Sequence, residues 1–356
     1  MSNLSMNRKF LFLVFLFSIC PIVNAGVIQD VLSGPGEIQA GEKLYIRFRL
    51  SQPASVKITI IDSDMIPTKI FALSHLDSGM HQIEWNATDE NGKTVPPEAY
   101  AWRIEAKTSS GLETWEPANL YSRPMEHIEN YEWNQPTGML VYRISVPMRI
   151  WVRLGVRLGA TLRCLADGEP RPAGLIEESW NGLDESGQIN LPARDDWVAS
   201  IFGYRLPQPC VIVSGTGPLP SPHLDDSFLS RINPPIGISD PWWHRRRAFA
   251  LIDRVKPRLH IEQYDRGTFA ASLVIPEKFQ KDGSAILQRM LADRVRLKWF
   301  IDGFCAAEEV DAIMPSMLIL FPDQIPKDGK PHFITANLVG MMHQVAIDSM
   351  WINSGE

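Results

Sequence analysis

The chain has few of the features that mark several large protein classes. It holds only 4 cysteines in 356 residues, which excludes a small scaffold held together by disulfides. Positive charge is also scarce, since 41 acidic residues outnumber 35 lysines and arginines and leave a formal net charge of −6. That balance disfavours a nucleic-acid partner. Hydrophobic residues at 45% and charged residues at 21% describe a folded chain long enough for two or three domains.

Motifs of catalysis and cofactor binding are missing as well. The sequence contains no G-x-S-x-G, no H-E-x-x-H, no C-x-x-C and no phosphate-binding or dinucleotide-binding glycine loop. Its 8 histidines are scattered singly, whereas a metal site needs several ligands within reach of one ion. We therefore expect no catalytic residue, no cofactor and no metal. An enzyme with its site at a domain junction is the least supported function.

Long hydrophobic runs are absent beyond the N-terminus. There, Arg8 and Lys9 precede an apolar run from Phe10 to Ile19, which is followed by Val23-Asn24-Ala25. This order is typical of an export signal, and the run is about half of the roughly 20 residues that a membrane-spanning helix needs. We expect a signal peptide at 1–25 and a soluble protein in the periplasm or outside the cell. Loss of Arg8 and Lys9 takes the formal net charge from −6 to −8.

The cysteines leave two alternatives open. Cys20 departs with the signal peptide, and Ile19 before it disfavours lipid attachment there. The remaining Cys164, Cys210 and Cys305 are an odd number, so they cannot all pair within one chain. One alternative is a single bridge with one free thiol, for which Cys164 with Cys210 is the preferred pair. The other is three separate buried thiols.

Turn-forming residues are abundant where long helices would exclude them. The chain has 27 prolines and 24 glycines, which favours short strands joined by turns. Apolar and polar residues alternate from Leu44 to Leu50 and again from Val56 to Ile60, as in strands with one buried face. The fold class expected from these patterns is all-β.

One segment of the chain is repeated. The residues 84–92 align with 179–187, at an offset of 95 positions that also places Gly79 on Gly174. The shared residues are Trp85, Asn86, Asp89 and Gly92 in the first segment and Trp180, Asn181, Asp184 and Gly187 in the second. Each tryptophan falls on a strand that enters a turn, where its ring would fill the space between two sheets. Two copies of one sandwich domain are the economical interpretation.

The repeated motif resembles a known family. A strand with Gly79, then Trp-Asn-x-x-Asp-x-x-Gly, Pro97 and Tyr100 resembles the FlgD-type immunoglobulin-like (Ig-like) repeat, named after the flagellar hook-capping protein. The first copy departs from the family pattern at Ala87 and Ala99, and the second lacks the Pro-Tyr turn. The resemblance implies tandem Ig-like β-sandwiches with a binding or spacing role and no catalytic residue. It does not imply hook capping.

The C-terminal part resembles a generic bacterial Ig-like domain over about 295–352. A strand ending in Ile301-Asp302-Gly303 is followed by Gly329 and His332 at the loosely kept Gly-x-His spacing of that pattern. The expected organisation is a signal peptide at 1–25, a first repeat at 26–110, a linker at 111–135, a second repeat at 136–206, a Pro-rich linker at 207–255 and an Ig-like sandwich at 256–356.

The most conspicuous local cluster lies in the Pro-rich linker. Trp242 and Trp243 stand beside Arg245 and Arg246, and tryptophan with arginine dominates many interface hot spots. If exposed, the cluster could stack on sugar rings or anchor a protein partner. The interpretation that we favour is that one or both rings pack between the second and third domains while the arginines cover acidic neighbours.

The sequence therefore predicts an exported, non-enzymatic protein of Ig-like domains. We expect it to act as a spacer or docking module among other envelope or extracellular proteins. The rival prediction is a carbohydrate-binding or polymer-binding accessory protein that uses the tryptophan and arginine cluster.

Overall fold

The computed structural model describes most of the chain beyond the predicted signal peptide. The described residues are 26–39, 41–62, 67–120, 125–214, 257–265, 267–277, 295–310, 312, 314–319, 325–326, 328–340 and 344–353. They form twenty-three strands, β1 to β23 in chain order, and one short 3-10 helix. The all-β prediction is confirmed. Within these ranges no helix is long and apolar enough to cross a membrane.

Domain 1 is a sandwich of two sheets. One sheet has the order β1 (Ile28–Gly34), β3 (Leu44–Leu50) and β6 (Gly79–Trp85). The other has the order β2 (Glu37–Gln39), β16 (Val211–Ser214), β7 (Glu98–Thr108), β4 (Ala54–Ile61) and β5 (Pro67–Leu76), with β8 (Gly111–Trp115) also on β7. The alternating residues predicted to be buried in β3 and β4 do face the core between the sheets.

A single strand position of domain 1 is filled by two distant segments. β8 pairs with the C-terminal part of β7, and β16 pairs with its first three residues on the same edge. Between them the carboxylate of Glu116 accepts a hydrogen bond from Arg103 Nε at 2.6 Å. The chain then leaves domain 1, forms domain 2, and returns at Val211. Domain 2 is therefore inserted within one strand position of domain 1.

Domain 2 is a second sandwich over 125–206. Its smaller sheet has the order β10 (Tyr131–Asn134), β11 (Met139–Ile144) and β14 (Gly174–Ser179). Its larger sheet has the order β13 (Thr161–Arg171), β12 (Met148–Val156), β15 (Trp197–Arg205) and β9 (Met125–His127). The 3-10 helix Leu191–Ala193 lies before β15.

Domain 3 is the third sandwich. One sheet has the order β17 (Arg258–Asp265), β18 (Thr268–Val274) and β21 (Ser316–Ile319). The other has the order β20 (Phe304–Val310), β19 (Arg296–Ile301), β22 (Pro331–Val339) and β23 (Gln344–Asn353). Trp299, Ile334 and Leu338 are fully buried in its core.

Two expected linkers contain strands instead. The segment 111–135 holds β8, β9 and β10, and 207–214 includes β16. The physical reason is pairing: β8 and β16 complete the sheet of domain 1, and β9 and β10 are edge strands of domain 2. The rest of the Pro-rich linker, 215–255, lies outside the described residues.

The predicted Cys164–Cys210 bridge is wrong, because all three cysteines of the described chain are free. Cys164 is on β13, where its thiol donates to the carbonyl of Ala166, whereas Cys210 packs beside Ile212 at the start of β16. Burial raises the pKa of both thiols, that of Cys210 to about 12, which makes them poor nucleophiles at neutral pH. Cys305 is exposed, so the alternative of three buried thiols does not fit either.

Candidate functional site

The tryptophan and arginine cluster of the Pro-rich linker lies outside the described residues. Binding by Trp242, Trp243, Arg245 and Arg246 therefore stays a prediction. The other residues that the sequence singles out as a repeated motif form two loops, one at the edge of domain 1 and one at the edge of domain 2.

In the first loop, the side chains hold the backbone of a tight turn. Trp85 is 1% exposed, and its indole Nε1 donates to the carbonyl of Thr88 at 2.8 Å. The Oδ1 atom of Asp89 accepts the backbone N–H groups of Asn91 and Lys93, both at 2.9 Å. Gly92 has φ of +75°, a left-handed conformation that glycine adopts without steric cost.

The second loop repeats the indole hydrogen bond, the bond from the N–H four residues after the aspartate, and the left-handed glycine. Trp180 is 2% exposed and donates from Nε1 to the carbonyl of Leu183 at 2.8 Å. Asp184 Oδ1 accepts the N–H groups of Gln188 at 2.8 Å and Ile189 at 2.9 Å. Gly187 has φ of +76°, within one degree of Gly92 in the first loop.

These contacts give the motif residues a structural role. Asn86 accepts the hydroxyl of Thr88, and Asn181 accepts the N–H of Leu183, so both amides close local turns. The aspartates are occupied by backbone donors rather than directed to a ligand. Among the described residues, no group of three histidine, cysteine or acidic side chains could hold a metal ion.

The first junction, between domains 1 and 2, buries a charge. Arg149 of β12 is 4% exposed and donates to the Glu98 carboxylate of domain 1 and to the Gly168 carbonyl of domain 2. The entering and leaving chain segments also pair, since Ala118 and Gln208 exchange two backbone hydrogen bonds of 2.8 and 2.9 Å. A buried ion pair with additional hydrogen bonds fixes geometry, because either charge left alone would be costly.

The second junction, between domains 2 and 3, has an apolar centre. Phe300 and Phe333 of domain 3 are 6% and 1% exposed and belong to the same buried cluster as Val156 and Ala160 of domain 2. The backbone approaches closely beside them, because Ala160 N donates to the carbonyl of Gly303 at 2.8 Å. A Cβ atom added at Gly303 would collide with the Val156 side chain.

Polar contacts surround that centre. The guanidinium of Arg194, in domain 2, lies 5.1 Å from the centroid of the Phe333 ring and donates to the carbonyl of Asp302 at 3.4 Å. On the other side, Gln188 Nε2 donates to the Ser349 carbonyl at 3.3 Å, and Trp351 Nε1 donates to the Gln188 carbonyl at 3.4 Å. The loop that carries Gly187 thus reaches domain 3 directly.

One histidine organises the domain 3 side of the second junction. His332 is 5% exposed, and its ring nitrogens lie 2.6 Å from Asp302 Oδ2 and 3.0 Å from Asp328 Oδ1. Only a protonated imidazole donates from both nitrogens. Burial acts to lower the pKa of His332, but the hydrogen bonds and charges of Asp302 and Asp328 outweigh it and raise that pKa.

The sequence indicates part of this junction without revealing its purpose. The Asp302-Gly303 turn and His332 carry the sequence resemblance to a generic Ig-like domain, and the structure brings them together. Sequence reasoning misses Phe300, although it follows Trp299 in a strand with alternating faces and must point away from the core of domain 3. An outward phenylalanine in such a strand is a signal for an interface.

Comparison with known proteins gives distant likenesses. No family model and no curated protein matches the chain. FlgD from P. aeruginosa is 14% identical, over 40% of this chain and 93% of that one, with a TM-score of 0.21. Truncated FlgD from Helicobacter pylori is 14% identical over 43% and 93%, with a TM-score of 0.19. The FN1–FN3 domains of chicken CNTN1 are 7% identical over 92% and 98%, with a TM-score of 0.16.

Likenesses of this size carry no functional argument. The assignment of the fold rests on the paired sheets and their buried cores. The chain is an all-β protein of Ig-like sandwich domains.

Proposed function

We propose that the protein is an exported, non-enzymatic spacer or docking module of a cell-envelope or surface assembly. The observation that carries the proposal is the construction of both junctions. Domains that act independently need only a flexible linker, whereas here an inserted domain and two buried phenylalanines hold neighbours in place. A fixed arrangement sets the distance and orientation of whatever is attached at the two ends.

The proposal includes the origin of domains 1 and 2 as two copies of a FlgD-type repeat. Its support is the agreement of the two motif loops in indole, aspartate and glycine geometry. The aromatic partners agree too: Tyr100 lies 5.2 Å from Trp85, and Trp197 lies 5.6 Å from Trp180, between ring centroids. Agreement of these contacts between the two loops favours duplication of one domain over coincidence.

A replacement experiment in the native cell separates spacing from docking. Residues 26–214 are exchanged for an unrelated pair of Ig-like domains of similar length behind the same signal peptide. A pure spacer keeps its assembly when its surface changes, whereas a docking module loses its partner. Retention of function after the exchange supports the spacer role. Loss of function together with loss of a cross-linked envelope protein supports the docking role.

A double variant separates this role from polymer binding. Trp242→Ala with Trp243→Ala tests the carbohydrate-binding alternative by pull-down on cell-wall polymers. Loss of polymer binding with an intact protein assembly would replace the spacer proposal by that alternative. Recovery of the chain from the cytoplasm with residues 1–25 still attached would contradict the proposal at its root.

A further inference from the structure

The order of strands in domain 1 determines where tension along the chain is carried. Strand β2, near the N-terminal end, pairs in parallel with β16, the last strand described before domain 3. The pairs are Glu37 with Ile212, Ile38 with Val213, and Gln39 with Ser214. A pull on the N-terminal side first loads β1, which pairs with β3 in the other sheet, and then reaches β2, whereas a pull on the C-terminal side enters domain 1 through β16. We call the pairing of β2 with β16 the parallel clamp.

Parallel neighbours resist such a pull in shear. Once β1 has separated from β3, the N-terminal force acts at one end of the β2–β16 pairing and the C-terminal force at the other, because the two strands run in the same direction. Their slanted, evenly spaced hydrogen bonds are then loaded together rather than opened one after another. Ile212 N, for example, donates to the carbonyl of Gly36 at 2.9 Å along this direction.

β2 is the edge strand of its sheet, but the apolar side chains of the clamp are buried in the domain core. Ile38, Val211 and Val213 are each at most 2% exposed and pack in the core of domain 1. β1, which precedes the clamp in the chain, is also held at its start, because the carboxylate of Glu113 accepts the N–H groups of Val27 and Ile28 at 2.6 and 2.9 Å. Separation of the two strands thus requires disruption of the core.

Domain 2 lies off this path. It is inserted between β8 and β16, so both of its connections return to domain 1 before the chain proceeds to domain 3. Tension that passes from β2 to β16 bypasses residues 125–206 as long as the clamp holds. Contact of domain 3 with domain 2 through Phe300 and Phe333 adds a docking surface but no covalent load.

We propose that the protein is a load-bearing tether whose parallel clamp carries tension between its ends and shields domain 2 from extension. This function deepens the proposed spacer role and rests on it for its place in the cell. The partner it implies is a pair of attachment points that move relative to each other. Domain 2 then serves as a reserve of length, which is released only after β16 separates from β2.

Single-molecule force spectroscopy of the whole mature chain, held at its two ends, tests the proposal. A flexible insertion of twenty residues between Pro136 and Thr137, both exposed in a turn of domain 2, labels the domain 2 step. The insertion lengthens that step by about 7 nm, at roughly 3.5 Å per extended residue. The labelled step is expected only at or above the force that breaks the clamp.

Two variants decide whether the order comes from topology. Val213→Ala weakens the clamp and leaves domain 2 intact, so it should lower the force at which the labelled step first occurs. Trp180→Ala weakens domain 2 itself, yet it should leave that onset force unchanged. If domain 2 of this variant is already unfolded, its residues should still be missing from the initial extension of the chain, because the clamp encloses them.

The matched control is Val152→Ala, the same truncation at a buried position of β12 in domain 2. It should behave like Trp180→Ala and unlike Val213→Ala. A labelled step that precedes clamp rupture, or an onset force that follows domain 2 stability, would overturn the proposal. This outcome concerns the purified chain alone, so it is distinguishable from failure of the cell-envelope function, which the replacement experiment tests.

Discussion

At the scale of single residues, one corner of domain 3 combines a buried histidine with the second junction. His332 forms hydrogen bonds with two carboxylates. The next residue, Phe333, packs in the second junction. Asp302 joins these features, because its Oδ1 atom accepts the N–H of Phe333 at 3.1 Å and its carbonyl accepts Arg194. The charge of His332 is thus linked to the fold of domain 3 at this corner.

The first prediction concerns pH. The pKa of His332 is raised above its ordinary 6.5, so its stabilising contribution is fully present below pH 6.5 and is lost as the pH rises through the folded-state pKa. Hydrogen exchange of β22, corrected for intrinsic rates, should show lower protection at alkaline pH. His332→Gln should remove this dependence. The control His260→Gln, at an exposed histidine of β17, should preserve it.

Asp328 adds a second pH dependence of stability, at acid pH. The backbone N–H of Lys330 lowers the pKa of Asp328 from 3.8, burial opposes this, and His332 adds to it. The contribution of Asp328 is therefore present above pH 3.8 and is lost as the pH falls through its lowered pKa. Protection of β22 that stays flat from the acid to the alkaline end of the range would contradict the assignment of both groups.

The second prediction concerns the paired tryptophans. Trp85→Ala and Trp180→Ala should each destabilise their own domain by about 3–5 kcal/mol, as large buried aromatics do. The control Tyr264→Ala, at an exposed residue, should change stability by less than about 0.5 kcal/mol. Exchange-derived free energies of opening in β3 and β11 provide the measurement. Losses below about 1 kcal/mol for both tryptophans would remove the physical basis of the repeat.

At the scale of elements, the strand that completes domain 1 comes from the far side of domain 2. β16 lies between β2 and β7 in the sheet, and its side chains Val211 and Val213 pack in the core of domain 1. Without β16, the backbone N–H and C=O groups of β2 and β7 lose their hydrogen-bond partners, and unpaired buried backbone groups are costly. Domain 1 is thus incomplete until domain 2 has been made and the chain has returned.

The third prediction follows from this dependence. Replacement of Val211–Ser214 by four flexible residues in the full chain should strip protection from hydrogen exchange in β2 and in the first residues of β7. Domain 3, which makes no pairing with β16 among the described strands, should keep its protection. Replacement of the three exposed residues 135–137 by flexible residues serves as the control. Unchanged protection in β2 would exclude the split-strand arrangement as the main state in solution.

Local patterns predict much of this architecture, and their failures have a common cause. Alternation identifies β3 and β4, and the repeated motif identifies both tryptophan loops. The run Val211 to Val213 falls in a predicted linker, because three apolar residues close to prolines give no local evidence of a strand. Its partners begin at Glu37 and Glu98, and pairing across such distances is not encoded in neighbouring residues.

At the scale of the whole molecule, the two junctions differ in what holds them. The first uses covalent topology and the buried Arg149, so domains 1 and 2 are joined by two chain connections and an ion pair. The second uses apolar contact, with Phe300 and Phe333 inserted beside Val156. The first is therefore expected to persist under conditions that open the second.

The fourth prediction is the most direct test of the claim that these domains form one fixed arm. Small-angle scattering compares the mature protein with Phe300→Ala plus Phe333→Ala, and with Trp242→Ala plus Trp243→Ala. We expect one compact arrangement for the wild type and for the tryptophan variant, and an extended, mobile domain 3 for the phenylalanine variant. Extension of the wild type itself, or an unchanged curve for the phenylalanine variant, would contradict the fixed arm.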